Sequence, residues 1–262
     1  MKDTRLAWTK VPEVTLYFWI IKVLSTGMGE TTSDFLVRRF PPVFAVMLGA
    51  VCLCAALLWQ FSVRRYRAWP YWVAVVMVSV FGTMAADILH IGLHIPYLVS
   101  TIFYSIVLTV VFISWYSSEG TLSIHSIRSR RRELFYWATV LATFALGTAA
   151  GDMTATTMHL GYFASGVLFA ILMAVPAVGY WKFGLNPIFA FWFAYIVTRP
   201  LGASFADWFA VSPSRGGRGF GYGTVSLVLS ALIIGFVAFL AITRLDTESS
   251  DDAFPAASSG GV

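Results

Sequence analysis

Acidic side chains stand inside apolar stretches of this sequence, where carboxylates could hold a proton or a cation. They share those stretches with only two basic side chains. The seven charged residues are Lys22, Glu30, Asp34, Asp87, Asp152, Arg199 and Asp207. Five acids against two bases would leave a net negative charge, so we expect either that some carboxylates are protonated or that a cation is bound. These seven residues are our candidates for a substrate- or ion-binding site.

The four aspartates belong to a frame that recurs along the chain. In each copy a Trp is followed by a Gly ten positions later and by an Asp fifteen positions later. The copies are Trp19–Gly29–Asp34, Trp72–Gly82–Asp87, Trp137–Gly147–Asp152 and Trp192–Gly202–Asp207. On an α-helix, fifteen residues separate Trp and Asp by about 60° and roughly 22 Å. Both therefore share one face, and the Gly between them permits close approach of another helix.

Composition indicates what kind of protein carries this frame. Apolar residues make up 58% of the chain and charged residues 12%, which excludes an ordinary soluble domain. Eight apolar runs of about 20 residues are each long enough to cross a bilayer. We predict an all-α polytopic membrane protein, with eight transmembrane helices as four tandem two-helix repeats around an axis along the membrane normal. Its segments are a cytoplasmic lead (1–13), repeats 1 and 2 (14–116), a basic cytoplasmic loop (117–133), repeats 3 and 4 (134–243) and a disordered acidic tail (244–262).

The distribution of Lys and Arg predicts the orientation. The loops on the side of the termini hold twelve of these residues, against four on the other side. By the positive-inside rule, both termini are expected in the cytoplasm, with the protein in the bacterial cytoplasmic (inner) membrane. The basic loop is expected to contact anionic membrane lipid. The net charge of +5 therefore concerns topology and lipid rather than nucleic acid, and the sequence is compatible with an oligomer.

The first and fourth copies of the frame carry further signals. Pro200 stands two residues before Gly202, and residues 25–29 read Ser-Thr-Gly-Met-Gly. Because proline removes an amide donor and glycine weakens a helix, both copies are predicted to be kinked or unwound.

The charges of these two copies suggest a shared pocket. If the repeats form a ring, the first and fourth are neighbours, and their charged residues could converge there. In that pocket Arg199 would pair with Glu30 or Asp34, and Asp207 with Lys22. Two alternatives remain open: the charges form local salt bridges that hold two helices together, or each Asp caps the turn that follows it.

Asp87, His90 and His94 have the i, i+3, i+7 spacing of residues on one helix face, which makes them weak candidates for a transition-metal site. The alternative is that a turn begins within this stretch. The sequence shows no nucleophile constellation, zincin helix or phosphate-binding loop, so we expect neither enzymatic activity nor a cofactor.

Two motifs carry a resemblance to a known family. They are KVLSTGMGETTSD, from Lys22 to Asp34, and TRPLGASFADW, from Thr198 to Trp208. Over about residues 14–243 the chain resembles a bacterial family of uncharacterised membrane-anchored proteins. Its members consist of four tandem repeats, each with two transmembrane segments and a characteristic tryptophan. The resemblance implies the repeat architecture and brings no established activity.

The functional hypothesis therefore rests on the charged residues within the apolar stretches and not on the family. The leading hypothesis is a transporter of a cation, or of a small solute coupled to protons, that uses the intramembrane carboxylates. The alternative is a non-transporting membrane protein, such as a sensor or an assembly partner, whose charges are structural. The two differ in whether the acids line a hydrated cavity or pack against dry neighbours.

Overall fold

The computed structural model describes residues 9–247, and the regular structure within that range is entirely helical. Eight long helices follow one another along the chain. They are α1 (Leu16–Arg39), α2 (Pro42–Ser62), α3 (Ala68–Asp87), α4 (Tyr97–Glu119), α5 (Arg130–Asp152), α6 (Gly161–Phe183), α7 (Pro187–Ala210) and α8 (Tyr222–Thr243). Short connections join them, so consecutive helices are antiparallel and the four odd-numbered helices run in the same direction.

Local sequence signals determine where several helices begin and end. The Thr15 side chain accepts a hydrogen bond from Phe18 N at the start of α1, and the Asn186 side chain caps α7 in the same way. Gly120 and Gly184 end α4 and α6 in the left-handed conformation, with φ of 69° and 64°.

The helices divide into an inner and an outer set. Helices α2 to α8 are long and apolar enough to cross a membrane. Helix α1 has a comparable length but is less apolar, because it carries Lys22, Glu30 and Asp34. In α2, α4, α6 and α8, 22% of the apolar span is buried, against 56–67% in α3, α5 and α7. The odd-numbered helices therefore form the interior, and the even-numbered helices face the lipid.

The four inner helices form a closed ring. Helices α1, α3, α5 and α7 contact one another in that order, and α7 packs against α1. Each outer helix packs mainly on the inner helix of the next repeat: α2 on α3, α4 on α5, α6 on α7, and α8 on α1. The repeats therefore interlock, and the predicted adjacency of the first and fourth repeats is confirmed.

The frame glycines show how the ring is built. Each lies against the residue seven positions after the frame Trp of the next inner helix, so close that a Cβ would collide with it. The four contacts are Gly29 with Ser79, Gly82 with Phe144, Gly147 with Arg199, and Gly202 with Thr26. The same register at all four junctions means that the repeats are related by rotation about one axis, as the frame predicted.

Aromatic rings close one end of this axis, which we call the tryptophan end. At each junction a frame Trp packs against the aromatic residue that precedes the frame Trp of the previous repeat. The pairs are Phe18–Trp72, Tyr71–Trp137, Tyr136–Trp192 and Phe191–Trp19, with ring centroids 5.6, 5.6, 6.2 and 5.8 Å apart. We call these eight residues the aromatic collar. The opposite end, where the frame aspartates lie, is the aspartate end.

The predicted unwinding of the first and fourth copies was wrong. Helices α1 and α7 are continuous, and α1 extends past Asp34 to Arg39. Within the continuous α7, Pro200 packs closely on Gly147 and Gly151 of α5.

The helical break occurs instead in the second and third repeats. There a π-helical turn follows the frame Asp directly, at Ile88–Gly92 and at Met153–Thr157. Each connection then passes through a histidine with φ of 56°, His94 or His159.

The described parts of the N-terminal lead and the C-terminal tail both pack against the bundle. Residues 9–11 of the lead are buried, and Thr9 O accepts a hydrogen bond from Tyr66 N at 2.9 Å.

Asp246, assigned to the tail, is buried: Tyr66 Oη donates to its carboxylate, and Glu13 N donates to its backbone oxygen at 2.9 Å. Burial raises the pKa of Asp246, and the Tyr66 hydrogen bond opposes that rise. The predicted disorder of residues 244–247 was therefore wrong, and the remaining tail lies outside the described residues.

The basic loop is shorter than predicted, because α4 continues to Glu119 and α5 begins at Arg130. Within this segment Lys10 Nζ of the lead pairs with the buried Glu133 at 2.5 Å. The predicted loop is thus partly helical and packs against the N-terminal lead.

Candidate functional site

Arg199 lies on the axis of the ring and is fully buried. Its Nη2 donates to Glu30 at 2.7 Å, to the Thr148 hydroxyl at 2.7 Å and to the Thr83 hydroxyl, while Nη1 donates to Thr26 O at 3.2 Å. These partners belong to α1, α3 and α5, so one guanidinium on α7 bonds all three other inner helices.

The repeat places these partners at one depth. Glu30, Thr83 and Thr148 each stand eleven residues after their frame Trp, where the fourth repeat has Ala203. Arg199 stands seven residues after its Trp, about one helical turn nearer the tryptophan end. The predicted pairing of Arg199 is therefore observed, with Glu30 as the partner. Sequence reasoning missed Thr83 and Thr148, although alignment of the four frames would have shown a polar residue at this position in three repeats.

A cluster of carboxylates lies on the aspartate side of Arg199. Oxygens of Glu30, Asp152 and Asp207, from three different repeats, lie within 4.8 Å of one another. Glu30 and Asp207 are buried, and Asp152 is half-buried. Oxygens with this spacing could share one cation with ligand distances of about 2.4 Å, or a proton. We call these three residues the carboxylate cluster.

Charge within the cluster is only partly balanced. Arg199 pairs with Glu30, whereas no protein donor among residues 9–247 hydrogen-bonds to the carboxylate of Asp152 or Asp207. Like charges this close oppose one another's ionisation unless a proton or a cation intervenes.

The other two frame aspartates lie at the aspartate end but outside the carboxylate cluster. Asp34 is half-buried and pairs with Arg38 at 3.4 Å, while the Arg38 guanidinium lies 4.7 Å from the Tyr222 ring centroid. Asp87 is also half-buried and directly precedes its π-helical turn. The four aspartates thus occupy one end of the ring, as predicted.

Lys22 is not part of the carboxylate cluster. Its Nζ lies 4.0 Å from the Phe144 ring centroid and 4.1 Å from that of Tyr195, and it has no hydrogen-bond partner in the described chain. The predicted pairing of Lys22 with Asp207 was therefore wrong. These residues stand three and fifteen positions after their frame Trp, which on parallel helices separates them by roughly 18 Å.

The structure does not bring Asp87, His90 and His94 together as the ligands of a metal site. His90 Nδ1 lies 3.0 Å from the Ser100 hydroxyl, and its ring packs on Tyr97. Because the π-helical turn begins at Ile88 and His94 adopts a left-handed conformation, Asp87, His90 and His94 do not share one helix face. The three-residue grouping with metal-ligand spacing in residues 9–247 is the carboxylate cluster.

The ring and its lipid-facing outer helices define an integral membrane protein built from repeated helical units. The chain belongs to the family described as Repeat of Unknown Function (DUF347), whose profile matches residues 17–66, 70–121, 135–184 and 190–246. Each match covers one inner helix and the outer helix that follows it, so the resemblance seen in the sequence is confirmed. No curated protein and no solved structure matches the chain.

Proposed function

We propose that the protein transports a cation, or a small solute coupled to protons, and that the carboxylate cluster is its binding site. The observation that carries this proposal is the approach of Glu30, Asp152 and Asp207 to within 4.8 Å. After Arg199 has balanced Glu30, two neighbouring carboxylates remain without a basic partner. A bound cation, or a proton on one of them, would remove their mutual repulsion.

Access to the cluster favours a transporter over an open channel. Asp34, Asp87 and Asp152 are half-buried and not fully enclosed, which supports access from the aspartate end. At the other end the aromatic collar closes the axis, and Lys22 lies beyond it against the rings of Phe144 and Tyr195. A site open toward one side and closed toward the other fits a cycle in which the collar opens when the aspartate end closes.

The same proposal includes orientation and location. Arg64, Arg67 and Arg130 lie at the tryptophan end with both ends of the described chain. By the positive-inside rule this side faces the cytoplasm of a bacterial inner membrane, and the carboxylate cluster faces outward. The proposed partners are a proton or cation and membrane lipid, with no enzymatic activity and no cofactor.

Flux through purified protein in liposomes tests the proposal. We expect a panel of monovalent and divalent cations, combined with an internal pH dye, to reveal flux that empty liposomes lack. Asp152→Asn and Asp207→Asn should each abolish it, since each removes a carboxylate from the cluster. Glu119→Gln is the matched control, because Glu119 pairs with Arg131 and Arg132 at the opposite end. Absence of flux for every cation tested would refute transport, and normal flux in both Asn variants would refute the carboxylate cluster as its binding site.

A specific observation also supports the second candidate, a non-transporting sensor or assembly partner. Arg199 bonds three neighbouring helices, as expected of a charge that holds a ring together. Thermal unfolding of the Asn variants separates the two functions. Loss of flux with an unchanged unfolding temperature supports transport, whereas joint loss of flux and fold supports the structural role.

A further inference from the structure

Three side-chain oxygens surround a single nitrogen of Arg199 on the axis of the ring. Nη2 lies 2.7 Å from Glu30 Oε2 and 2.7 Å from Thr148 Oγ1, and it also contacts Thr83 Oγ1. We call the side chains of Glu30, Thr83 and Thr148 the oxygen cage. All three are buried, and they come from α1, α3 and α5.

The two hydroxyls of the cage are oriented as acceptors. Thr148 Oγ1 donates to Phe144 O of its own helix at 3.2 Å. Thr83 Oγ1 is closer to Ser79 O of its own helix, at 3.1 Å, than to Glu30 Oε2, at 3.4 Å. Because each hydroxyl gives its one hydrogen to its own helix, its lone pairs are left for the group in the cage. With the Glu30 carboxylate, the cage therefore offers three acceptors.

The guanidinium of Arg199 fits this cage only in part. Nη2 has two hydrogens, so it lacks a hydrogen for one of the three oxygens. The buried Nε has no hydrogen-bond partner in the described chain. A spherical cation has no such directional limit, and several oxygens around one centre are the usual coordination of a hard cation.

Charge and size indicate which cation fits. One carboxylate and two neutral hydroxyls balance one positive charge, as they do for Arg199 here. The distance of 2.7 Å from Nη2 to Glu30 and Thr148 exceeds the distance from magnesium to oxygen, about 2.0–2.1 Å, and from calcium to oxygen, about 2.3–2.6 Å. The cage therefore suits a larger monovalent cation, such as potassium or ammonium.

The cage adjoins the carboxylate cluster, because Glu30 belongs to both. Its carboxylate bonds Arg199, and an oxygen of Glu30 lies within 4.8 Å of oxygens of Asp152 and Asp207. Among residues 9–247 these two aspartates have no basic partner. A guanidinium displaced from Glu30 would find its next acidic partners there, so the charges stay balanced.

We propose that the oxygen cage is a second cation site, taken in this structure by Arg199 Nη2, and that a monovalent cation replaces this nitrogen during transport. The released guanidinium then pairs with Asp152 or Asp207. The cage residues stand four positions before the frame aspartates, so the exchange moves the cation about 6 Å toward the tryptophan end. The exchange rests on the proposed transport, whereas binding of a cation to the cage is tested without flux.

Arg199→Ala vacates the cage and makes this binding measurable. Its unfolding temperature would be recorded in detergent at rising potassium chloride, with choline chloride keeping the ionic strength constant. We expect a saturable rise with potassium, because a ligand that binds the folded state stabilises it.

Thr148→Val, added to Arg199→Ala, removes one cage oxygen and keeps all three acids of the carboxylate cluster. The apparent potassium affinity should fall about tenfold, as expected for the loss of one contact to a charge. Thr143→Val is the matched control on the same helix, because the buried Thr143 hydroxyl donates to Val140 O at 2.6 Å. It should leave the affinity unchanged.

Absence of a potassium-specific rise, or an unchanged affinity in the Thr148→Val protein, would overturn the cage. Neither result depends on flux. Potassium binding that needs Thr148, found together with no flux in liposomes, would support the cage and refute transport.

If Arg199→Ala folds in neither salt, binding of radioactive rubidium to proteins that keep Arg199 decides. We expect Thr148→Val to bind rubidium about tenfold more weakly than wild type and Thr143→Val to bind it equally well. No binding by the wild type, or equal binding by all three proteins, would contradict the proposal.

Discussion

Arg199 stabilises the ring only as long as its acidic partner is present. Arg199 and Glu30 are both buried and 2.7 Å apart, so removal of the guanidinium leaves a carboxylate without a counter-charge. We predict that Arg199→Ala lowers the free energy of unfolding by about 3–5 kcal/mol. Combining it with Glu30→Gln should recover part of that loss.

A double-mutant cycle measured by unfolding in detergent checks this prediction. The pair of the exposed Arg38 and the half-buried Asp34 supplies the control, because Arg38→Ala should change stability by no more than about 1 kcal/mol. Strict additivity of Arg199→Ala and Glu30→Gln would show that the two residues are not coupled.

Lys22 presents the opposite case, a buried amine that has two aromatic neighbours and no acceptor. Cation–π contacts contribute about 0.5–2 kcal/mol each, whereas burying a charge costs several kcal/mol. We therefore predict that Lys22→Met leaves stability unchanged or raises it by about 1–3 kcal/mol.

Thermal unfolding and liposome flux, measured on the same Lys22→Met preparation, check that prediction. Higher stability with lower flux would mean that the lysine serves transport at a cost in stability. A clear loss of stability would contradict the prediction and indicate a polar partner for Nζ.

At the scale of elements, the frame glycines determine how closely the inner helices approach. A Cβ on Gly202 would lie 2.7 Å from Val23 O and 2.9 Å from Gly27 N, both backbone atoms that can move only with their helix. Overpacking of this kind costs about 1–3 kcal/mol, so Gly202→Ala should destabilise the ring by that amount.

Gly235 is the matched control, because it lies inside α8 with nothing within 4 Å of an added Cβ. Gly235→Ala should be neutral or stabilise the protein by up to about 1 kcal/mol, since alanine favours the helix. The measurement is the change in unfolding temperature of Gly202→Ala compared with that of Gly235→Ala. Equal effects would show that helix propensity, and not the α1–α7 contact, controls the response.

The recurring frame explains why so much of this ring could be predicted from the sequence. Equal Trp-to-Asp spacing in parallel helices already implies one depth for the aspartates and a shared register for the glycines. The same register, applied to Lys22 and Asp207, would have excluded their pairing. Continuity of α7 was not predicted, because an interior proline commonly kinks or breaks a helix, and the close packing of Pro200 on Gly147 involves another repeat.

The sequence also did not predict which inner helix each outer helix packs on. The turns between consecutive helices are short enough for α2 to lie on either α1 or α3. Only the three-dimensional structure shows that it lies mainly on α3, and that α8 therefore returns to α1.

At the scale of the whole molecule, this offset makes the chain a ring without a free edge. Helix α8 covers α1, and the two ends of the described range meet at the tryptophan end, where Glu13 N donates to Asp246 O at 2.9 Å. Because the repeats follow one another by rotation, the junction between the last and first repeats uses the same glycine register as the other three.

A circular permutant tests this closure. Residue 247 would be joined to residue 9 by a short linker, and the chain opened after Gly120, an exposed left-handed residue at the tryptophan end. We predict the native ring, with an unfolding temperature within a few degrees of wild type, because every inner and outer helix contact is kept and the new termini stay on the same side.

A permutant opened at residues 93–96 is the control. It moves the termini to the aspartate end and breaks the hydrogen bond from Ile95 N to Leu89 O, so it should insert poorly. The first permutant could fail to fold while a chain that carries the linker at its unchanged termini folds normally. That outcome would mean that the order of the repeats matters and that the four junctions of the ring are not equivalent.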